Sequence, residues 1–206
     1  MNPSDQFRVS LVKYLPTFRL VLSDHQIQQC VQHYEILLKW NRKMALTTIT
    51  EPDEAAKLHY CESMFAYRFL SETTGIVDLG SGAGFPGIPL AFMNPERAVK
   101  LIESHGKKAI FLKECVRGLD LKNASVITNK FQNLDLTGLV WTTRAIESLE
   151  SILKDLFGSS QPSALAIFTT ESMRENILSL NLTGWNLAFE PIPLSKDRRL
   201  LLANRI

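Results

Sequence analysis

The segment GIVDLGSGAGFPG, residues 75–87, decides the fold. It opens with a short apolar run rich in β-branched residues, which is typical of a strand buried on both faces of a sheet. Three glycines then alternate with small residues, and glycine lets the backbone turn sharply and approach a ligand closely. The apolar residues 88–93 predict a helix after the turn. Strand, glycine turn and helix form the first half of a nucleotide-binding βαβ unit.

The glycine spacing fits two kinds of nucleotide. Counted from Gly82, the segment matches the G-x-G-x-x-G pattern of dinucleotide sites, in which a pyrophosphate lies at a helix N-terminus. Counted from the predicted strand end at Asp78, the pattern is Asp-x-Gly-x-Gly-x-Gly. A carboxylate there would repel a pyrophosphate but suits a ligand with an ammonium group and a sulfonium, such as S-adenosylmethionine (SAM). We therefore expect SAM; a turn that only packs helix on strand is the alternative.

A second acidic residue supports a nucleoside ligand. Residues 98–102 predict the next strand, and Glu103 ends it. It lies about 20 residues past the glycines, where ribose-binding carboxylates occur in such folds. A carboxylate can accept hydrogen bonds from both ribose hydroxyls. A solvated glutamate at the strand end is the alternative, but the spacing between Glu103 and the glycine turn favours ribose binding.

Length and composition indicate one globular domain, or one domain with an extension. The chain has 206 residues, 45% hydrophobic and 21% charged, which is enough for a sizeable core. We expect a cytoplasmic protein without a membrane partner, because no apolar run approaches the roughly 20 residues of a membrane span and no signal pattern is present. The charge of +2 permits a nucleic-acid partner through local basic patches. Cys30, Cys61 and Cys115 are predicted to be buried free thiols, and no metal site is predicted.

Two regions are predicted. Residues 1–70 form an N-terminal helical extension, in which Ser23 and Gln26 make a capping box. Residues 71–206 form a SAM-binding domain of alternating strands and helices that closes with a hairpin. The fold class is therefore α/β, with a mostly parallel sheet and helices on both faces. In the helix predicted over 107–119, Ile110, Cys115 and Leu119 are expected to face inward.

The residues after the predicted fourth strand limit the reaction. Residues 143–146, TRAI, stand where enzymes that methylate exocyclic amino groups commonly carry Asn or Asp, Pro-Pro and an aromatic. No cysteine nucleophile for carbon-5 methylation is present there. Guanine N7 has a free in-plane lone pair, so its methylation requires positioning rather than a general base. Arg144, the predicted catalytic residue, could hold the guanine O6 edge or its phosphate; a surface arginine at a strand end is the alternative.

Several motifs together resemble the bacterial 16S rRNA guanine-N7 methyltransferases of the RsmG/GidB family. They span nearly the whole chain: LKWNRK (38–43) with LT (46–47), HYCES (59–63), VDLGSGAGFPGIP (77–89), ESHGKKAIFL (103–112) and TRA (143–145). The resemblance implies a Rossmann-like class I SAM-dependent methyltransferase fold, SAM as the cofactor and 16S rRNA or the small ribosomal subunit as the partner. We expect a monomer.

The candidate residues fall into two groups. The residues predicted to bind SAM are Asp78, Gly80, Ser81, Gly82, Gly84, Phe85, Glu103, Phe131, Gln132 and Arg144. The residues predicted to bind RNA are Lys39, Arg42, Lys43, Lys107 and Lys108. For the cations near Trp40, a helix end that favours positive charge is the alternative.

The chain departs from the family pattern mainly on the RNA side. Ala45, Leu139, Thr170, Glu171 and Arg199 replace Asn, Asp, Lys, Gly and His, and Gln132 stands where an acidic residue often accompanies adenine binding. Three classes therefore stay open: an rRNA methyltransferase, an enzyme with a shifted substrate, and a SAM-binding protein that has lost methyl transfer. An NAD-binding oxidoreductase is the more distant alternative.

Overall fold

The computed structural model describes residues 1–71, 74–144, 149–159, 161–180 and 182–206. Within these ranges seven strands form one sheet in the order β3-β2-β1-β4-β5-β7-β6. The strands are β1 (Ile76–Leu79), β2 (Val99–Ile102), β3 (Ala124–Ile127), β4 (Val140–Thr143), β5 (Ala164–Thr170), β6 (Trp185–Pro191) and β7 (Arg198–Arg205). The first five pair in parallel, and β7 runs antiparallel to both β5 and β6. The predicted mostly parallel sheet and the closing hairpin are confirmed.

The helices lie before the sheet and between its strands. They are α1 (Pro3–Tyr14), α2 (Asp24–Asn41), α3 (Pro52–Glu54), α4 (Glu62–Phe65), α5 (Gly87–Met93), α6 (Gly106–Gly118), α7 (Leu149–Gly158) and α8 (Glu171–Ser179). A π-helical turn, Ala55–Cys61, joins α3 to α4. The predicted capping box starts α2, since the Ser23 hydroxyl accepts the Gln26 N–H and the Gln26 side chain accepts the Ser23 N–H.

The strand β1 lies inside the sheet, paired with β2 and β4, and all four of its residues are buried. The parallel strands end on one side of the sheet. The antiparallel strand β7 begins there, because Arg198 is paired with Thr170 at the end of β5. We call this side the carboxyl edge. Ligands of open α/β sheets bind outside the carboxyl ends of the strands, so this edge is where a site is expected.

The N-terminal helices share a core with one face of the sheet. Phe7 and Tyr34 stack with ring centroids 4.4 Å apart, and both belong to the buried cluster that includes Phe92 of α5 and Phe111 of α6. A second cluster, with Val77, Trp141 and Leu153, covers the other face. Residues 1–70 therefore pack against the sheet through an apolar core, while a domain boundary at residue 70 stays a prediction.

One inward position predicted for α6 is wrong. Cys115 and Leu119 are buried, but Ile110 is 57% exposed. The buried face of the helix runs through Ala109, Phe111 and Leu112, and the helical turn of about 100° per residue carries Ile110 to the outer side. The three cysteines are buried and free, as expected. No helix in the described ranges has the length and hydropathy of a membrane span.

Candidate functional site

The glycine turn, residues 80–87, joins β1 to α5 at the carboxyl edge. Gly80, Gly82 and Gly84 have φ angles of 69°, 51° and 89°, in the left-handed region that residues with a side chain rarely adopt. The amides of Gly80 and Ser81 donate to the Ile102 carbonyl at 2.9 and 3.0 Å. These bonds tie the turn to the end of β2, so its geometry is fixed by the sheet.

The glycines of this turn have two different roles. A Cβ on Gly84 would lie 2.5 Å from Ile88 Cδ1, and one on Gly87 would lie 2.3 Å from Leu101 Cδ2. These two glycines therefore allow α5 to pack on the sheet. Among the described residues, a Cβ on Gly82 would meet only the Gly80 carbonyl, at 3.7 Å. The outer side of Gly82 is open, and a ligand can approach its backbone there.

Asp78 lies beneath the turn and is fully buried. Its Oδ2 accepts the Gly87 N–H at 3.0 Å, while Oδ1 is buried without a hydrogen-bond partner among the described residues. The Ser81 hydroxyl donates to the Asp78 carbonyl at 3.0 Å. Burial raises the pKa of Asp78 to about 7, and the Gly87 N–H opposes this shift. The side chain therefore shapes the turn from inside, and Oδ1 is the oxygen with spare capacity.

Glu103 lies directly beside the open glycine. Its Oε2 accepts the Gly82 N–H at 3.0 Å, and its Oε1 accepts the His105 N–H at 2.7 Å. Each carboxylate oxygen can accept two hydrogen bonds, so both keep capacity for a ligand hydroxyl. The structure thus brings together Gly82 and Glu103, the two residues that the sequence assigns to the backbone and the ribose of SAM.

Phe85 connects the glycine turn to the N-terminal helices. Its ring stacks on His59 at 4.4 Å between centroids and meets Tyr60 edge-on at 5.1 Å. The His59 Nε2 lies 2.8 Å from the Thr47 hydroxyl, and burial lowers the pKa of His59 to about 3. The predicted ligand contact of Phe85 stays a prediction, because the contacts shown are with the protein. His59 and Tyr60 were missed as neighbours of the turn, although the HYCES motif marked their segment.

Arg144 follows β4 at the carboxyl edge and turns toward α4 and the π-helical turn. Its Nη1 donates to the Ser63 hydroxyl at 3.2 Å and to the His59 carbonyl at 3.3 Å. Its Nη2 donates to Glu62 Oε2 at 3.2 Å and to the Leu58 carbonyl. A guanidinium has five N–H donors, so these contacts leave only Nε–H for a ligand. The catalytic role of Arg144 stays a prediction, and its contacts add a second role in holding the N-terminal segment on the sheet.

Glu62 is 1% exposed and forms ion pairs with two arginines. Arg144 lies on Oε2, and the Nε of Arg198 lies 2.9 Å from Oε1 in an ion pair without hydrogen-bond alignment. Burial raises the pKa of Glu62, and both arginines oppose this shift. We call Glu62, Arg144 and Arg198 the arginine cluster. The one sign of this cluster in the sequence is Glu62, an acidic residue in a segment that folds as a buried helix.

The predicted RNA-binding cations lie on two helix ends. They are Lys39, Arg42 and Lys43 at the end of α2, and Lys107 and Lys108 in the first turn of α6. All are exposed except Lys108, which is half-buried. The rings of Trp40 and Phe111 meet edge-on at 6.0 Å, which makes the two helix ends neighbours. Two clusters that are distant in the sequence thus lie close together.

Comparison with known proteins gives the family. The family described as "GidB: rRNA small subunit methyltransferase G" matches residues 26–164. The chain belongs to this family. A ribosomal RNA small subunit methyltransferase G from Xylella fastidiosa is 44% identical over 121 residues, 57% of this chain and 56% of that protein. The one from Nitrosomonas europaea is 39% identical over 131 residues, 63% and 61% of the two chains. The chain thus matches little more than half the length of these relatives.

Solved structures share the fold. The 23S rRNA methyltransferase ErmE superposes with a TM-score of 0.54 at 14% identity, covering 69% of this chain and 66% of its own. TrmK of M. capricolum, in complex with S-adenosyl-homocysteine, gives 0.53 at 17%, covering 67% and 65%. At these identities the similarity is one of architecture, and it agrees with the predicted Rossmann-like methyltransferase fold.

The family motif around Trp40 serves the structure of the loop after α2. Asn41 Oδ1 accepts the N–H groups of Leu46 and Thr47 at 2.8 and 3.0 Å, and its Nδ2 donates to the Thr47 carbonyl at 2.9 Å. Ala45, which departs from the family pattern, is exposed and takes no part in these bonds. The loop is therefore held without the asparagine that the pattern has at that position.

Two other departures from the family pattern contact each other. The Nε of Arg199 lies 2.5 Å from Glu171 Oε2, and Arg174 pairs with the other oxygen at 3.1 Å. Leu139 is half-buried and packs against the second core cluster. An aspartate at this position could not make that apolar contact. The RNA-side departures thus include an ion pair at the carboxyl edge and an apolar contact at the start of β4, on the opposite side of the sheet. Ala145, the last residue of the TRA motif, lies outside the described residues.

Phe131 and Gln132 lie on the face of the sheet covered by α7. The Phe131 ring meets Trp141 edge-on at 6.0 Å, and the Gln132 amide donates to Asp155 at 3.4 Å. They line an open pocket of about 360 Å³ together with Lys154 and other residues of that face. These contacts do not bring them to the glycine turn, so their part in SAM binding stays a prediction.

Proposed function

We propose that this chain is a SAM-dependent methyltransferase that methylates N7 of a guanine in 16S rRNA. The observation that carries the proposal is the open backbone of Gly82 beside Glu103, at the carboxyl edge of the sheet. A family of rRNA small subunit methyltransferases provides the substrate class.

The site has the groups that SAM requires. The glycine turn offers backbone that a ligand can touch at Gly82, and Glu103 offers acceptor capacity for two ribose hydroxyls. The Asp78 Oδ1 lies beneath the turn without a hydrogen-bond partner among the described residues, and an ammonium group of a ligand at the turn would favour the ionised form of this carboxyl. Bound SAM supplies a methyl group activated by its sulfonium. The structure of TrmK with S-adenosyl-homocysteine supports this choice of cofactor.

The residues around the turn suit a reaction without a general base. Burial lowers the pKa of both His33 and His59 to about 3, so these imidazoles are neutral and poor bases near pH 7. Guanine N7 has a free lone pair and loses no proton on methylation. The protein would therefore act by binding RNA and aligning N7 with the methyl group.

Partners and organisation follow from this substrate. We propose 16S rRNA or the small subunit as the partner, a monomer in the cytoplasm, and a division between an N-terminal extension, 1–70, and a methyltransferase domain, 71–206. The exposed cations on α2 and α6 are the proposed RNA contacts outside the sheet edge.

The experiment pairs two glycines that have the same kind of backbone. Gly82 and Gly138 both have positive φ, 51° and 73°. Gly138 is in the turn before β4, and no atom of the residues that the structure describes lies within 4 Å of a Cβ there. By calorimetry, Gly82→Val should lose SAM binding at least tenfold, while Gly138→Val, the control for strain, should keep it. Tight NADH binding with no SAM binding by the wild type would overturn the proposal.

The alternative with a shifted substrate has one supporting observation. Glu171 and Arg199, both departures from the family pattern, form an ion pair at the carboxyl edge. Primer extension on rRNA treated with borohydride and aniline, which cleave the strand at N7-methylguanine, maps the methylated guanine in cells with and without the protein. A stop in 16S rRNA that requires the protein supports the proposal, and SAM binding without any such stop supports the alternative.

A further inference from the structure

The two arginines of the arginine cluster are committed to the protein to different degrees. Arg144 is 12% exposed, and both of its terminal amino groups donate to protein atoms. Arg198 has a side chain that is 36% exposed, and only its Nε faces Glu62. Its terminal amino groups make no hydrogen bond to the part of the chain that the structure describes. Arg198 thus presents a planar pair of donors to the outside of the carboxyl edge.

The backbone of Arg198 is held by two hydrogen bonds, and the ion pair with Glu62 holds its Nε. Its N–H donates to the Ser195 hydroxyl at 2.9 Å, and its carbonyl accepts the Ile192 N–H at 3.2 Å. Glu62, which aims the side chain, is itself buried and fixed by Arg144. An arginine that is anchored at both ends loses little side-chain entropy when it binds a ligand.

The charge around Arg198 favours an oxyanion. Two guanidinium groups share the single carboxylate of Glu62, so the arginine cluster has one positive charge that no described carboxylate compensates. The same ratio occurs beside it, where Arg174 and Arg199 share Glu171. The neighbouring Lys196 and Asp197 are both exposed and offset each other. Guanidinium forks bind phosphate in a bidentate manner.

The position of Arg198 distinguishes two possible oxyanions, an RNA phosphate and the carboxylate of SAM. β7 is three strands away from β1, and strands in a sheet lie about 4.8 Å apart, which places β7 about 14 Å from the glycine turn along the edge. The SAM site lies at the ends of β1 and β2. Arg198 therefore lies away from the glycine turn and Glu103, and its position favours an RNA phosphate over the carboxylate of SAM.

We propose that Arg198 binds a phosphate of the substrate RNA next to the guanine to be methylated, and that Glu62 is the residue that positions it. This inference rests on the proposed function. It assigns RNA recognition to the start of β7, beyond the basic residues predicted on α2 and α6.

The test compares Arg198→Gln with Arg117→Gln, which removes the same charge from an exposed position on α6. With a 16S rRNA transcript, Arg198→Gln should raise KM for RNA by about tenfold or more, the loss expected for a charged hydrogen bond. The salt dependence of RNA binding should become shallower by about 0.7–0.9 in log K per log salt, as for one phosphate. The SAM affinity should be unchanged. Glu62→Gln should raise KM in the same direction while leaving the charge of Arg198 in place.

Each other outcome contradicts the inference in its own way. An unchanged KM for RNA in an active protein excludes the contact. A parallel loss of SAM affinity in Arg198→Gln assigns the oxyanion to the cofactor. If Arg198→Gln and Arg198→Lys both lose RNA binding in proportion to a fall in their melting temperatures, the arginine has a structural role only. A wild type that binds SAM but methylates no rRNA overturns the proposed function, and the inference falls with it.

Discussion

The glycine turn and the arginine cluster both lie at the carboxyl edge but draw on different distances along the chain. The turn uses residues 78–87 and a partner, Glu103, whose bond to Gly82 spans 21 residues. In the arginine cluster, Glu62 and Arg144 are 82 residues apart, and Arg198 comes from the last strand. The turn is a backbone feature that glycine makes possible. The cluster exists only once the N-terminal helices have docked, so it reports on tertiary assembly.

The largest expected effect breaks the arginine cluster and leaves the turn intact. Arg144→Ala should lower the free energy of unfolding by about 3 kcal/mol, because it leaves one oxygen of the buried Glu62 without its arginine and removes a donor from the Leu58 carbonyl. Urea unfolding measures this loss, with Arg117→Ala as the control at an exposed arginine.

The same variant tests the predicted catalytic role of Arg144. Both terminal amino groups of Arg144 are bound to protein atoms, so SAM affinity should be kept when the variant is folded, against the SAM contact that the sequence predicts for Arg144, while methyl transfer to RNA is lost. An equal loss of SAM binding and methyl transfer would mean that Arg144 supports the fold or the cofactor pocket. Its contacts with α4 and the π-helical turn already indicate a structural role.

A smaller effect separates the two kinds of glycine within the turn. Gly87→Ala should destabilise the protein by about 2 kcal/mol, because the new methyl group would collide with Leu101 and Asp78. Gly82→Ala meets no such obstacle, and only its positive φ should lower stability, by about 1 kcal/mol. SAM affinity should fall more in Gly82→Ala than in Gly87→Ala. The opposite order would mean that the ligand does not touch Gly82.

The difference in sequence distance also explains what could be predicted. β1, the glycine turn and Glu103 were predicted from residue type and spacing, because glycine conformation and strand alternation are local. The contacts of Glu62 with Arg198 could not be read from spacing, since they depend on how α4 meets β7. The prediction that Ile110 faces inward is wrong by one position, because several neighbouring apolar residues of α6 fit the inner face equally well in the sequence pattern. Phe131 and Gln132 were placed by resemblance, and their ring and amide contacts lead to another face of the sheet.

The pH dependence of stability tests Asp78, the buried acid beneath the glycine turn. The pKa of Asp78 in the folded protein is about 7, above the value of about 3.9 for an unfolded aspartate. The folded state therefore binds more protons between about pH 4 and pH 7, and the contribution of Asp78 to stability falls as the pH rises through this window. Asp78→Asn should remove that fall, as measured by urea unfolding at several pH values. An identical pH profile in the variant would mean that another group titrates there.

The smallest expected effect concerns the exposed cations on α2, outside both the turn and the arginine cluster. Arg42→Gln with Lys43→Gln should weaken RNA binding a few-fold and make its salt dependence shallower by about 1.5 in log K per log salt if each cation contacts a phosphate. SAM binding should be unchanged, because these residues lie at the end of α2, beside Trp40 and the start of α6. Filter binding from low to moderate salt measures both quantities. An unchanged slope would confine RNA recognition to the carboxyl edge, and the two cations would then be solvated charges that favour a helix C-terminus.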